Sequence, residues 1–286
     1  PAYRLPKAVV REQVKALEGM GIRFELGANV GGDGLTLEDL RARYQSVFLA
    51  TGLWNGKSLR LERGELLDSG LQFLIDLQRG IARPVGERVL VIGGGSVAVD
   101  VAITARRSGA RQVTLVCLES LETMPAIPED IEQAHEEGIT ILPSWGPQRV
   151  AERDGKLVGM EFVRCTAVFD EAGRFAPTFD PTVTTVFEAD QVLVAIGQAA
   201  DLAFAGPELR IERGFIVGDK RTLATSIAGV FAGGDVTGGP ATLVHAMAAG
   251  GRLTFVTEDW DGKGVRIGVR DTGPGIPPEH LARVFD

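Results

Sequence analysis

The chain has 286 residues, enough for one large domain or two ordinary ones, and its hydrophobic fraction of 44% supplies real cores. The 38 acidic residues outnumber the 30 basic ones, which argues against a surface that tracks nucleic-acid phosphates. No apolar run approaches the ~20 residues that span a membrane, the Pro1-Ala2-Tyr3-Arg4 start has no apolar signal segment behind it, and the two cysteines, far apart in sequence, point to a cytoplasmic protein. Without an initiator Met, and opening close to a helix, the chain reads as a fragment or a processed product. Cys117 and Cys165 form no C-x-x-C, which excludes a thioredoxin-like pair and any iron–sulfur cluster ligated by this chain alone. His135, His245 and His280 are scattered and lack metal-ligand spacing, so no metal site is expected.

Apolar residues at Val9, Val10, Val14, Leu17 and Met20 predict a helix from Lys7 that ends at Gly21. Ile22 to Leu26 alternates as a strand. Thr36, with Asp39 three residues on, is a capping-box signature. Ser46 to Gly52 reads as a buried strand ending in glycine. Trp54 to Gly86 is irregular apart from a helix around Leu71 to Leu77, and Pro84 marks a boundary.

The stretch from Arg88 to Asp100 is the most informative of the chain. The apolar run Val89 to Ile92 is a buried strand, Gly93-Gly94-Gly95 a turn, and Ser96 to Arg107 a helix. Strand, glycine turn and helix are the context of a dinucleotide-binding fingerprint. Gly93 permits the tight turn, Gly94 continues it, and Gly95 leaves the pyrophosphate unobstructed. Ala98, where a third glycine often stands, still allows close helix–strand packing. The N–H groups at Ser96 and Val97 and the positive end of the helix dipole face the phosphates. Gln112 to Cys117 is the next parallel strand. Glu119, about 20 residues past Ala98, stands where an acid accepts from the ribose 2′-OH. A carboxylate there repels a 2′-phosphate, which favours NAD(H) over NADP(H). The alternative is a βαβ unit that binds nothing.

Pro128 opens a helix at its first turn, and Ile139 to Leu142 is a strand. From Gln148 to Glu188 short alternating strands with turns such as Arg153-Asp154-Gly155 predict an antiparallel meander. Gln191 to Gly197 is again a buried strand ending in glycine. Val230 to Ala232 is a short strand, followed by Gly234-Asp235 and a helical segment from Ala241 to Ala249. Asp235 suits a sugar-like polyol beside a helix N-terminus; the other reading makes it a helix cap. Two alternating strands, Arg252 to Glu258 and Gly264 to Arg270, joined at Asp261-Gly262-Lys263-Gly264, predict a hairpin.

Several of these pieces occur together in one family. Tyr3-Arg-Leu-Pro-Lys7, Phe48-Leu-Ala-Thr-Gly52, Val91 to Asp100, Met124-Pro-Ala126, Glu136-Glu-Gly138, Ala195-Ile-Gly-Gln198 and Gly229 to Asp235 make residues 1–250 resemble the flavoprotein of NAD(P)H-dependent glutamate synthase small subunits. Related modules occur in dihydropyrimidine dehydrogenase and other flavin–iron–sulfur oxidoreductases. The resemblance implies an α/β fold of two nested Rossmann-like dinucleotide-binding domains. The NAD(P)H-binding domain, 86–193, is inserted in an FAD-binding domain of 1–85 and 194–250. Thr51-Gly52 and Gly197 are then the crossover positions, and Asp235 after Gly234 binds the FAD ribityl or phosphate region. A helix opening at Pro240, Ala241 and Thr242 points its N-terminus at the flavin.

Hydride transfer from NADH to FAD is the activity implied, with electrons passing to iron–sulfur centres of a partner domain or subunit. The chemistry is the cofactor's, so no catalytic residue of the protein is expected. The family's FAD glycine loop and iron–sulfur cysteines precede the Tyr3 motif, so FAD retention and activity by this chain alone are not expected. A non-catalytic NAD(H)-binding fragment is the alternative.

Residues 251–286 resemble something else, the ATP-binding domain of sensor histidine kinases. Asp271-Thr-Gly273-Pro-Gly275-Ile276 matches its first glycine box. No asparagine box is visible and the match stops at Asp286, so ATP binding is not expected; a signalling protein is the third reading. The tail reads as a truncated graft with a short α+β pattern.

Overall fold

The computed structural model describes residues 1, 3–31 and 34–239, and the backbone of 254–259 and 265–270. The chain divides into two compact units, one of residues 1–6 and 55–198, the other of 7–54 and 199–286.

In chain order, α1 (Lys7–Gly19) comes first. Gly21, at φ +91°, closes it, with N–H groups of Met20, Gly21 and Ile22 returning to the last turn's carbonyls. The strand expected at Ile22 to Leu26 does not form. Alternation makes a strand only where a neighbour supplies ladder hydrogen bonds, and Leu26 is 90% exposed with no such neighbour. The helix α2 (Leu37–Arg43) carries the full capping box between Thr36 and Asp39.

Of the buried strand expected from Ser46 to Gly52, only β1 (Val47–Leu49) forms, and Phe48 in its middle is half exposed. Next come the short β2 (Asn55–Gly56) and β3 (Asp68–Ser69), then α3 (Gly70–Gln78), which Ser69 caps. The fingerprint gives β4 (Arg88–Ile92), α4 (Ser96–Arg107) and β5 (Gln112–Val116). After them stand α5 (Pro128–Glu136), with Pro at its first turn, and β6 (Thr140–Leu142).

The meander is three strands, β7 (Trp145–Arg153), β8 (Lys156–Phe169) and β9 (Phe175–Glu188). They are longer than the sequence pattern predicts. Register shifts at Pro147/Arg149 and Val163/Arg164 interrupt the alternation without ending the strands. Asp154 and Gly155, both at positive φ, form the tight turn between β7 and β8.

The remaining elements are β10 (Gln191–Val194), β11 (Gln198–Ala199), β12 (Ile211–Glu212), β13 (Phe215–Ile216), β14 (Val230–Ala232) and the four-residue α6 (Asp235–Gly238). Last comes the antiparallel pair β15 (Thr254–Asp259) and β16 (Val265–Arg270), the hairpin read from the sequence. The helical segment from Ala241 to Ala249 and the glycine box at Asp271 lie outside the described residues.

The first unit is built on a five-stranded parallel sheet in the order β3-β10-β4-β5-β6. One face packs on α3, α4 and α5 through Val89, Val91, Val101, Leu115 and Leu193. The opposite face packs on the antiparallel sheet through Leu90, Ile92, Val116, Met160 and Phe162. Both faces are covered, which is why β4 reads as a continuous apolar run instead of alternating. Full burial of each of its Val, Leu or Ile side chains stabilises the fold by about 1.5–3 kcal/mol. In the second unit β1 pairs in parallel with β14, and Leu37, Leu49, Ile216, Val230 and Val236 form its core.

Candidate functional site

Strand order locates the site in the first unit. β4 lies between β10 on one side and β5 on the other, so the chain direction across the sheet reverses at β4. Ligands of open parallel sheets bind in the crevice at the carboxyl ends of the strands at such a reversal. Three segments converge there: the glycine turn after β4, Cys117 to Glu119 after β5, and Ala195 to Gly197 after β10.

Each glycine of the turn has its own reason. Gly93 has φ +144°, and a Cβ on it would collide with the carbonyl oxygen of Ala195 and sit 3.2 Å from the Ala98 side chain. Only glycine at 93 and a small residue at 98 let α4 close on the sheet; its N–H donates to the Val116 carbonyl at 2.9 Å. Gly94 lies beneath Glu119. A Cβ there would stand 2.7 Å from the Glu119 carboxylate oxygen Oε2 and 3.2 Å from both Cys117 and Pro125. Its carbonyl accepts the Ala126 N–H at 2.9 Å, which fixes the Met124-Pro-Ala126 loop beside the turn. Gly95 faces open space. It occupies the N-cap position of α4 and offers no side-chain cap, so Ser96 and Val97 begin the helix half-exposed. Gly95–Val97 and Glu119 are therefore partly exposed in the first unit, over the buried Gly93, Gly94 and Ala98.

Glu119 is held from behind, its carbonyl accepting the Ser144 N–H at 2.8 Å. Burial, reinforced by the Glu119 charge, pushes the Cys117 thiol up to about 12. Cys165 is buried and raised in the same direction for the same first cause. Both thiols stay protonated near neutral pH, and neither is a nucleophile.

At the far side of the crevice, the Ala195 N–H donates to the Ile92 carbonyl at 2.8 Å. Gly197 follows at φ +107°. Its carbonyl accepts the Lys57 N–H at 3.0 Å, and the Lys57 ammonium reaches to 3.9 Å from where a Gly197 Cβ would stand. Lys57 belongs to the segment that sequence reading left irregular. No periodic pattern marks it, and only the fold brings it to Gly197.

A second feature missed by sequence reading supports α4. Tyr3 Oη and Arg4 Nε both donate to Asp100 Oδ1, at 2.6 and 2.7 Å, and Arg4 Nη1 donates to Asp130 Oδ1 at 2.5 Å. Arg107 stacks 4.4 Å above the Tyr3 ring. Asp130 is 2% exposed, and among the described residues its Oδ2 has no hydrogen-bond partner. Burial, then the bond to Asp100, drives the Tyr3 hydroxyl well above its ordinary range. Burial opposes the Arg4 charge, but Asp130 and Asp100 outweigh it and raise Arg4.

The remaining expected positions belong to the second unit. Thr51 is exposed, and Gly52 has φ +68°. The Gly233 N–H donates to the Leu49 carbonyl at 3.1 Å. Gly234, at φ +74°, faces open space and occupies the N-cap position of α6, and Asp235 is the first residue of that helix. The helical segment from Ala241, which the cap reading of Asp235 concerns, lies outside the described residues. Pro240, Ala241 and Thr242 lie outside the described residues. Among those residues, no group of three or more His, Cys, Asp or Glu side chains is placed to hold a metal, and no helix is long and apolar enough to cross a membrane.

Comparison with known proteins settles the family. The model of the pyridine nucleotide-disulphide oxidoreductases matches residues 10–250. The chain belongs to that family. It is 36% identical over 267 residues to the NADP(+)-dependent formate dehydrogenase subunit beta of Moorella thermoacetica, covering 91% of this chain and 38% of that protein. It is 30% identical over 269 residues to the glutamate synthase (NADPH) small chain of Azospirillum brasilense, covering 87% of this chain and 55% of that one. The fold is similar to FprA from Mycobacterium tuberculosis, with a TM-score of 0.70 at 15% identity over 85% of this chain and 69% of that one. The chain thus spans between about two fifths and just over half of these curated relatives.

Proposed function

We propose that this chain is the electron-input module of an NADH-dependent flavin oxidoreductase of the glutamate synthase small-subunit type. The observation that carries the reading is Gly94 beneath the Glu119 carboxylate, next to the open Gly95 at the uncapped start of α4. That cradle fits a dinucleotide. The turn leaves room for a pyrophosphate, the first-turn N–H groups of α4 face it, and Glu119 stands where a ribose hydroxyl would donate. Relatives named as NADP-dependent and as NAD-dependent both occur. The preference for NADH therefore rests on Glu119, whose charge would repel a 2′-phosphate.

In this reading residues 86–193 hold the nicotinamide dinucleotide, and 1–85 with 194–250 contribute to the flavin site. Thr51-Gly52, Gly197, Gly234-Asp235 and Pro240 to Thr242 would line the flavin side. The Gly234 backbone, in open space at the start of a helix, fits the approach of a polyol or phosphate. The chemistry supplied by the bound cofactors is hydride transfer from nicotinamide to flavin, with electrons passed to iron–sulfur centres of a partner domain or subunit. The protein's own part is to orient the dinucleotide through Gly93–Ala98 and Glu119 and to keep Cys117 neutral beneath it.

The visible spectrum of the purified chain, taken after FAD addition and desalting, tests this. A retained flavin band that NADH bleaches would place hydride transfer in this chain itself. A colourless protein would instead leave an NAD(H)-binding segment without redox function of its own.

A further inference from the structure

The dinucleotide reading leaves one cation unused. Lys57 emerges beside Gly197, and its backbone is held from two sides. Its N–H donates to the Gly197 carbonyl at 3.0 Å, and the preceding Gly56 is so close to α3 that a Cβ there would stand 2.7 Å from Ser69 Oγ and 3.5 Å from Leu71. The side chain then lies along Gly197, its Cδ, Cε and Nζ all 3.7–4.0 Å from where a Cβ of that glycine would be. A side chain at 197 would displace it, and φ +107° independently favours glycine there. Lys57 is exposed, and among the described residues its ammonium has no hydrogen-bond or ion-pair partner.

Strand order gives this position a meaning. Glu119 follows β5, the glycine turn follows β4 and Gly197 follows β10, and these strands are adjacent in the order β10-β4-β5. Strands are spaced about 4.8 Å apart, so Glu119 and Gly197 mark the ends of a crevice about 10 Å wide. A dinucleotide with its adenosine ribose at Glu119 and its pyrophosphate over Gly95 extends its other half across β10. We propose that Lys57 binds the phosphate on the nicotinamide side of the dinucleotide and so orients the nicotinamide ribose over Gly197. The proposal rests on the dinucleotide reading above. It assigns Glu119 to the adenosine end and Lys57 to the nicotinamide end, and the site thereby discriminates along the length of its ligand.

The test is calorimetric titration of the whole chain with NADH, ADP-ribose and AMP, for the wild type, Lys57→Met and Lys57→Arg. Methionine keeps the apolar stem and the backbone N–H. Lys57→Met is expected to weaken NADH and ADP-ribose about tenfold, the scale of one charge-assisted hydrogen bond, and to leave AMP unchanged. Added salt should weaken NADH binding less steeply in Lys57→Met than in the wild type, and Lys57→Arg should restore most of the affinity. Equal NADH affinity in wild type and Lys57→Met would overturn the role of Lys57 and leave the dinucleotide reading intact. Equal weakening of AMP would overturn the assignment to the nicotinamide end. A wild type that binds none of the three ligands would overturn the dinucleotide reading itself.

Discussion

Gly93–Gly95 and Gly233–Gly234 each follow a short strand and precede a helix, and the two turns are built to different depths. The first leaves a strand flanked on both sides within a five-stranded sheet and enters a helix of 12 residues. The second leaves β14, whose one described sheet partner is β1, and enters a helix of four residues. Gly93 is locked against Ala195 and Ala98, while Gly234 faces open space. A helix dipole acts through aligned peptide units, so α4 presents a stronger positive end than α6. The same local motif therefore makes a rigid, tightly packed turn in one unit and a looser backbone turn in the other. The surrounding packing makes the difference, and the glycines themselves do not.

Substituting the two turns is the sharpest way to break that comparison. Gly93→Ala meets both a positive φ and the Ala195 carbonyl, and is expected to cost at least about 3 kcal/mol in denaturant unfolding. Gly234→Ala meets no packed neighbour and only the backbone preference at φ +74°, ψ −158°, for about 1–3 kcal/mol. Similar costs at both sites would show that packing does not distinguish the turns. Arg4→Ala should also rank among the large effects. It strands the Asp130 carboxylate, 2% exposed and, among the described residues, already one hydrogen bond short. The expected loss is about 3 kcal/mol, and the double variant Arg4→Ala/Asp130→Asn should regain a substantial part of it.

The smallest effect concerns Cys117. Its raised value means that the folded chain holds this proton more tightly than the unfolded one. The associated stability is present below an ordinary thiol value of about 8.5 and is lost as pH rises toward about 12. At pH 8, iodoacetamide should label neither cysteine of the folded protein and both in urea. Rapid labelling of Cys117 in the folded state would place that thiol at the surface.

These contrasts also separate what was legible in the sequence from what was not. The fingerprint from Val89 to Ala98 could be read because its cause is local: a strand buried on both faces, a glycine collision and a helix start within ten residues. The capping box at Thr36 and the tight turn at Asp154-Gly155 are equally local. Ile22 to Leu26 misled because alternation says which face would be buried and not whether a neighbouring strand exists. The strands of the meander were underestimated because their irregularities hide the period. The Tyr3–Asp100 and Arg4–Asp130 contacts join residues 97 and 126 positions apart. Like Lys57 beside Gly197, they are made by the fold and leave no sequence pattern.

The most direct test of the central claim is a titration of the purified chain with NADH and NADPH, followed by nicotinamide fluorescence and repeated with Glu119→Arg. The account predicts that the wild type binds NADH at least about tenfold more tightly than NADPH, a difference of about 1.4 kcal/mol, and that Glu119→Arg reverses the order. Equal affinity for both in the wild type, or a preference that Glu119→Arg leaves untouched, would contradict it.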